Sequence, residues 1–332
     1  MKRITIKDIA EMAKVTPATV SMVLNNKAKI SAETREKILA LAREYNYVPN
    51  ISARGLVHSK TNTLGVLISG LSEPINAATI KAVTRKIANT GYDIILYGAY
   101  KGEDWRSHLY HQLNSEGRLD GILHKAIDMT DDDRELVARM NLPIVIFEND
   151  LDWIDCVAID NKNSVKVATK YLIRKGHKKI GAVSCSINKN LIDSRIGAVT
   201  ETMREFGLEM NPQHVYIGSS YSPQEGIKAA DYFHSLADKP SAVFVVCGDY
   251  VASGFLSRIK LLGYKVPDDF AIVGFDDLWF ASLLEPQLTT IRQPLDDMVD
   301  VAIDLLIARI QDKTKPVEKR KFELEFIIRQ SA

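Results

Sequence analysis

Little in this chain supports a stapled, membrane-bound or catalytic protein. It has only three cysteines, Cys156, Cys185 and Cys247, widely spaced and each in an apolar neighbourhood. No CxxC pair suggests zinc or redox chemistry, so buried free thiols in a reducing cytoplasm are expected. No run of about 18 apolar residues offers a membrane span. The start, Met1-Lys2-Arg3-Ile4-Thr5, lacks the apolar stretch of an export signal. GxGxxG, P-loop, GxSxG and HExxH motifs are all missing, which predicts a protein that is not an enzyme and carries no cofactor. His108 and His111 stand three apart in a helical pattern, but two exposed histidines without a third ligand make no metal site.

The formal net charge of +1 conceals an asymmetry. Residues 1–60 hold 11 Lys/Arg and 5 Asp/Glu, an excess of +6, and the remainder holds 32 basic and 37 acidic residues, −5. A basic module on an acidic body steers one end towards a polyanion and keeps the other away. Within the basic part, Ile6, Ile9, Ala10 and Ala13 recur at helical spacing and Lys14-Val15 turn the chain. Thr16 is a good N-cap and Pro17 fits the first helical position. The second helix is uncharged from Thr16 to Asn25; Val20, Val23 and Leu24 share one face, leaving Ala18, Ser21, Met22 and Asn25 pointing away. Small and polar groups on a free face suit insertion among base edges in a major groove. Spacing alone fits an ordinary helical bundle equally well. Ser31 caps a third helix, with Ile38, Leu41, Ala42 and Tyr45 as its expected buried stripe.

After the polar joint His58–Asn62, the pattern changes to strands alternating with helices. Strands are expected near 64–68, 92–96, 120–123, 143–147 and 157–159, with helices near 75–89, 104–116 and 132–140. A second series runs helix 162–175, strand 179–184, helix 192–206, strand 214–217, helix 223–235, strand 242–246, helix 249–262 and strand 270–274. Strand 289–292, helix 295–310 and strand 321–328 close the chain. Such alternation implies parallel sheets with helices on both faces, and two series imply two lobes with a cleft between them. The fold class is therefore α/β behind an all-α helix-turn-helix headpiece, and 332 residues suffice for two or three domains.

The run from Ile4 to Leu56 resembles the DNA-binding headpiece of the LacI/GalR family of bacterial repressors. The matching words are Thr5-Ile6-Lys7-Asp8-Ile9-Ala10, Thr19-Val20-Ser21, Val23-Leu24-Asn25, Thr34-Arg35, Tyr47-Val48-Pro49-Asn50 and Ala53-Arg54-Gly55-Leu56. Further words extend the resemblance to about Ser331: Gly117-Arg118-Leu119-Asp120-Gly121, Gly176-His177-Lys178-Lys179-Ile180-Gly181, Val273-Gly274-Phe275-Asp276-Asp277 and Pro286-Gln287-Leu288-Thr289-Thr290-Ile291. It implies a headpiece over 1–49, a hinge helix and linker over 50–60, and a core over 61–332 that resembles periplasmic sugar-binding proteins. The chain would cross between lobes three times, giving lobe one as about 61–160 plus 292–318 and lobe two as about 161–291 plus 319–332.

By the same resemblance the DNA-contacting residues are Thr5, Thr16, Pro17, Ala18, Thr19, Ser21, Met22 and Asn25, with Asn50, Ala53, Arg54 and Leu56 in the hinge. Leu56 would be the wedge driven into the minor groove at the dyad. Relatives mostly carry a basic side chain in place of Met22, and Gly in place of Lys14 and Asn46. Effector contacts would come from Ser72, Ile75, Glu148, Arg195, Tyr221, Asp249 and Asp276, with an Arg195–Asp276 structural ion pair and a core role for Tyr221 as competing readings. Ser72-Glu73-Pro74-Ile75-Asn76 stands where relatives often have Asn-Pro-Phe, Gly248 where sugar binders often place Asn, and Ala198 where Gly is usual. A sugar or sugar derivative is the expected effector, with a purine, a phosphosugar or a protein corepressor left open. The implied partners are a near-palindromic DNA operator, a small-molecule effector and a second copy of the chain. Without the heptad tail of tetrameric relatives, a dimer is expected. A periplasmic-type sugar-binding protein without DNA activity is the alternative.

Overall fold

Thr5 opens the first helix by a reciprocal cap: its backbone N–H donates to Asp8 Oδ2 at 2.7 Å while its hydroxyl accepts the Asp8 N–H. The computed structural model describes residues 4–24, 30–45, 47, 60–99, 117–125, 129, 131–186 and 189–332. Two units are distinguished, a small N-terminal one and a large α/β core.

In the N-terminal unit, α1 (Ile6–Ala13), α2 (Pro17–Leu24) and α3 (Ala32–Glu44) enclose a core of Ile9, Ala10, Ala13, Val20, Val23 and Ile38. α1 ends at Lys14 in the left-handed conformation, φ 58° and ψ 45°, which lets its N–H reach back to the helix. A side chain there costs about 1 kcal/mol that glycine avoids. Lys14→Gly is accordingly expected to slow hydrogen exchange of the α1 amides severalfold. The expected stripe of α3 is corrected at one end: Ile38 and Ala42 are buried, but Tyr45 is exposed. The helix stops at Glu44, so Tyr45 leaves the stripe and Tyr47 packs on the core instead, its N–H donating to Ala42 O.

The core contains two parallel sheets. The first is built from β1 (Thr63–Ser69), β2 (Asp93–Ala99), β3 (Gly121–Lys125), β4 (Ile144–Phe147), β5 (Cys156–Ile159) and β11 (Lys319–Phe322), in the order β11-β5-β4-β3-β1-β2. The second is built from β6 (Ile180–Cys185), β7 (Val215–Gly218), β8 (Ala242–Val245) and β9 (Ala271–Val273), in the order β7-β6-β8-β9. Strands β3, β4, β5, β6, β8 and β9 are buried throughout, as sheets covered on both faces require. The helices Pro74–Ile87 and Leu295–Gln311 pack Val83, Ile87, Met298, Val299 and Leu306 onto the first sheet. Val165, Leu172 and Val199 cover one face of the second, and Phe233, Phe255 and Ile259 the other.

Over that second face, the helices Pro223–Ser235 and Asp249–Leu261 meet backbone to backbone. A methyl group at Gly226 would overlap the Val251 carbonyl oxygen, and one at Gly254 the Pro223 carbonyl oxygen.

Short segments connect the sheets. β10 (Thr290–Arg292) and β12 (Glu325–Ile327) run antiparallel, Ile291 facing Phe326. Asp277 ties them down: its carboxylate accepts Arg292 Nε at 2.7 Å and Arg329 Nη2 at 2.6 Å. The expected single strand over 321–328 is therefore two strands in different sheets. β11 pairs with β5, so the last crossing falls at Glu323-Leu324, after the boundary expected at 318/319. Arg309 fixes the approach to β11, binding Asp155 through two hydrogen bonds of 2.8 and 2.9 Å. The expected helix over 104–116, with His108 and His111, and the hinge helix lie outside the described residues.

Candidate functional site

Two separate surfaces carry the expected contacts. On the first, Thr16 caps α2, its hydroxyl accepting the Thr19 N–H at 3.2 Å and pairing with the Thr19 hydroxyl at 2.9 Å. Val20 and Val23 face the core, which turns Thr16, Pro17, Ala18 and Met22 outward; Thr19 and Ser21 are half-buried at the flanks. Met22 is 40% exposed, enough for its thioether to meet a partner surface. Thr5 is exposed at the start of α1. Asn25, Asn50, Ala53, Arg54 and Leu56 lie outside the described residues.

The second surface is a pocket within the core, at the C-terminal ends of the strands, where open parallel sheets place ligands. Ile75, Glu148, Arg195, Tyr221 and Asp276 all line it. Arg195 projects from the helix Lys189–Glu205 and is only 5% exposed. Its Nε donates to Asn161 Oδ1 at 2.9 Å, its Nη1 to the Val246 carbonyl at 2.6 Å, and the guanidinium lies 3.5 Å over the Phe275 ring. No ion pair joins it to Asp276 among the described residues, so the expected alternative of a structural pair does not describe this geometry. Burial pushes the Arg195 pKa down, opposed by Asp276.

Asp276 stands on a left-handed backbone, φ 107°, and accepts Gln293 Nε2 at 2.7 Å. Burial raises its carboxyl pKa to about 7, although Arg195 pulls the other way. The Tyr221 hydroxyl pKa is pushed up by burial beside Cys185. Trp279 is 76% exposed with Phe280 edge-on at 5.6 Å, placing both at the rim, outside the pocket lining.

Two expected contacts are placed elsewhere. Ser72 sits in an exposed turn and does not line the pocket. Asp249 is fully buried behind it: one carboxylate oxygen accepts the Thr290 hydroxyl at 2.6 Å and the other the Leu278 N–H at 2.8 Å. Its function in this geometry is to brace the loop that carries Asp276, because its own N–H also donates to the Phe275 carbonyl.

The pocket also holds side chains that the sequence reading missed. Lys125 ends β3, is 1% exposed and pairs with Glu148 at 2.6 Å. A lysine at the end of an apolar strand was the available signal, since buried lysines occur only with partners. Glu73 and Asn76 come from the start of the helix Pro74–Ile87, and Gln293 from the second crossing. Glu73 has its carboxyl pKa raised to about 7, mainly by burial. No group of three potential metal ligands clusters among the described residues.

A family model of bacterial regulatory proteins, lacI family, matches residues 5–50, and one of the periplasmic binding protein-like domain matches residues 169–332. The HTH-type transcriptional repressor PurR of Photobacterium profundum is 33% identical over 98% of both chains. PurR of Mannheimia succiniciproducens is 32% identical, again over 98% of both. Among solved structures, a transcriptional regulator CelR–cellobiose complex aligns with TM-score 0.74 and 26% identity over 99% of this chain and 100% of that one. The lac repressor dimer bound to operator and the anti-inducer ONPF aligns with TM-score 0.85 and 23% identity over 99% of each, a likeness of fold.

Proposed function

Since the chain belongs to the LacI family of bacterial regulatory proteins, as a DNA-binding transcriptional repressor and not an enzyme, we propose that a sugar or sugar derivative bound in the core pocket sets its operator affinity. The observation that carries this reading is Arg195, a buried guanidinium locked by Asn161, Val246 and Phe275 at a pocket whose other walls come from the first sheet. A fixed donor of this kind orients a polar ring, and Tyr221 supplies an apolar face. The cellobiose of the CelR complex supports a carbohydrate in the same fold.

A ligand that contacts both sheets favours one spacing of the two lobes over others. Only that difference in affinity can bias the DNA-binding state, with a coupling of typically about 1–3 kcal/mol. Two copies reading a near-palindrome are the natural partner arrangement, because one α2 reads one half-site. The site of action is then the cytoplasm, where the chromosome lies. No helix among the described residues is long and apolar enough to cross a membrane.

The test is a gel shift on the upstream region of the genes adjoining this chain's own, with and without candidate sugars. A sequence-specific shift modulated by one sugar is expected; no specific shift under any condition rejects the reading. At the DNA face, Met22 cannot donate hydrogen bonds and offers only apolar contact, for instance to a thymine methyl. Met22→Arg should move the preferred outer half-site base towards guanine, with discrimination of about 1–3 kcal/mol per pair. Selection from a random operator library reads this directly, and an unchanged consensus counts against it.

A further inference from the structure

Several hydrogen-bond acceptors of the pocket residues have no donor among the described residues. Asn76 is 2% exposed, and its Nδ2 donates to the carbonyls of Ser69 and Gly70 at 2.5 and 2.9 Å. Those two carbonyls fix the amide's orientation, because the other flip would set oxygen against oxygen. Its Oδ1 is then buried without a partner. Gln293, 7% exposed, repeats the pattern: Nε2 donates to Asp276 Oδ1, and Oε1 is buried without a partner. Both side chains line the pocket, from different segments of the core.

Two carboxyl groups add further acceptors. Glu73 receives only a 3.4 Å contact from Asn76 Nδ2, and Asp276 only the Gln293 amide; neither is in an ion pair among the described residues. Each cation is engaged only in part, and the Arg195 guanidinium keeps three N–H donors. Lys125 is held by Glu148 at 2.6 Å, and Arg195 spends two donors on Asn161 and Val246. Three carboxyls therefore face two cations. A buried acceptor without a donor is costly, so an occupant that supplies donors lowers that cost and one that supplies acceptors adds to it.

We infer that the effector is an amine-bearing sugar, whose ammonium meets the carboxyl groups of Glu73 and Asp276. The inference rests on the pocket being the effector site. It separates amino sugars from neutral hexoses, which lack the charge, and from phosphorylated or carboxylated sugars, which bring more acceptors into a pocket already rich in them. Burial is the main cause of both elevated carboxyl pKa values, and the charges of Lys125 and Arg195 offset it only in part.

The test is calorimetric titration of the full chain with glucosamine, galactosamine and mannosamine. Each is compared with its parent hexose, its N-acetyl form and the hexose 6-phosphate. At least one amine should bind ten times or more tighter than all three of its counterparts. Glu73→Gln and Asp276→Asn, both isosteric and checked by thermal melting, should bring the ratio of amine to hexose affinity towards one. A hexose, N-acetyl form or phosphate that binds as tightly as its amine overturns the inference, as does the absence of binding by every amine. Operator gel shifts on the same preparations keep the outcomes apart: an intact specific shift without amine preference removes only the ligand class, whereas a missing shift removes the repressor reading itself.

Discussion

Gly254→Ala is expected to destabilise the core by about 3 kcal/mol, the upper end of what an inserted methyl group costs. Overpacking is usually relieved by a side chain moving aside, but here the obstacle is the Pro223 carbonyl at the start of the facing helix. Relief would require separating that helix from Asp249–Leu261, and Phe233, Phe255 and Ile259 are packed beneath the pair. For a core of this size the midpoint should fall by about 6–12 °C. Gly226→Ala should act similarly through the Val251 carbonyl. The double variant should cost less than the sum, because once the helices part both methyl groups gain room. Circular dichroism melts of the full chain measure all three; a loss under about 1 kcal/mol for both single variants would mean the helices separate easily.

Glu148→Gln should cost the core about 3–5 kcal/mol, the usual penalty for leaving a buried charge unpaired. Lys125 is 1% exposed and Glu148 10%, their charged atoms are 2.6 Å apart, and the ammonium also lies 5.5 Å from the Phe147 ring and within electrostatic reach of Glu73 and Asp276. The pair itself adds little net stability, because desolvation offsets the attraction. The double change Lys125→Met with Glu148→Leu is therefore expected to melt within about 1 kcal/mol of the parent. Urea denaturation separates the two results. If the single and double variants lose equally, the site depends on volume and not on charge.

Much of the α/β core was readable because a buried strand is a short apolar run and a helix repeats at 3.6 residues. The failures share one cause: periodicity records which side chains are apolar, not which neighbour they meet. Phe322, Leu324, Phe326 and Ile328 alternate as one strand would, yet the chain changes sheets between Phe322 and Glu325. Tyr45 continues the stripe of α3 on paper, but the helix has already ended. In the pocket, resemblance located Glu148, Arg195, Tyr221 and Asp276. It misplaced Asp249, whose carboxylate turns inwards to Thr290, a residue 41 positions away. Lys125, Asn76 and Gln293 converge only after the chain has crossed between sheets, so no local window unites them.

Asp276 holds its carboxyl group on positive-φ backbone, at 107°. Such positions oppose most side chains and are relaxed by glycine or asparagine. A change to asparagine there would remove a charge from the pocket and ease the backbone in a single step. Glu148 shares the positive φ, at 68°, but its bond to Lys125 ties any change to a buried lysine. Most substitutions in a binding site trade stability for novelty; Asp276 escapes that trade. Descendants of this chain could drift from one ligand to another through this position without first accumulating compensating mutations elsewhere. Asp276→Asn should then give a folded chain with an altered ligand preference, whereas a change at Glu148 leaves Lys125 unpaired.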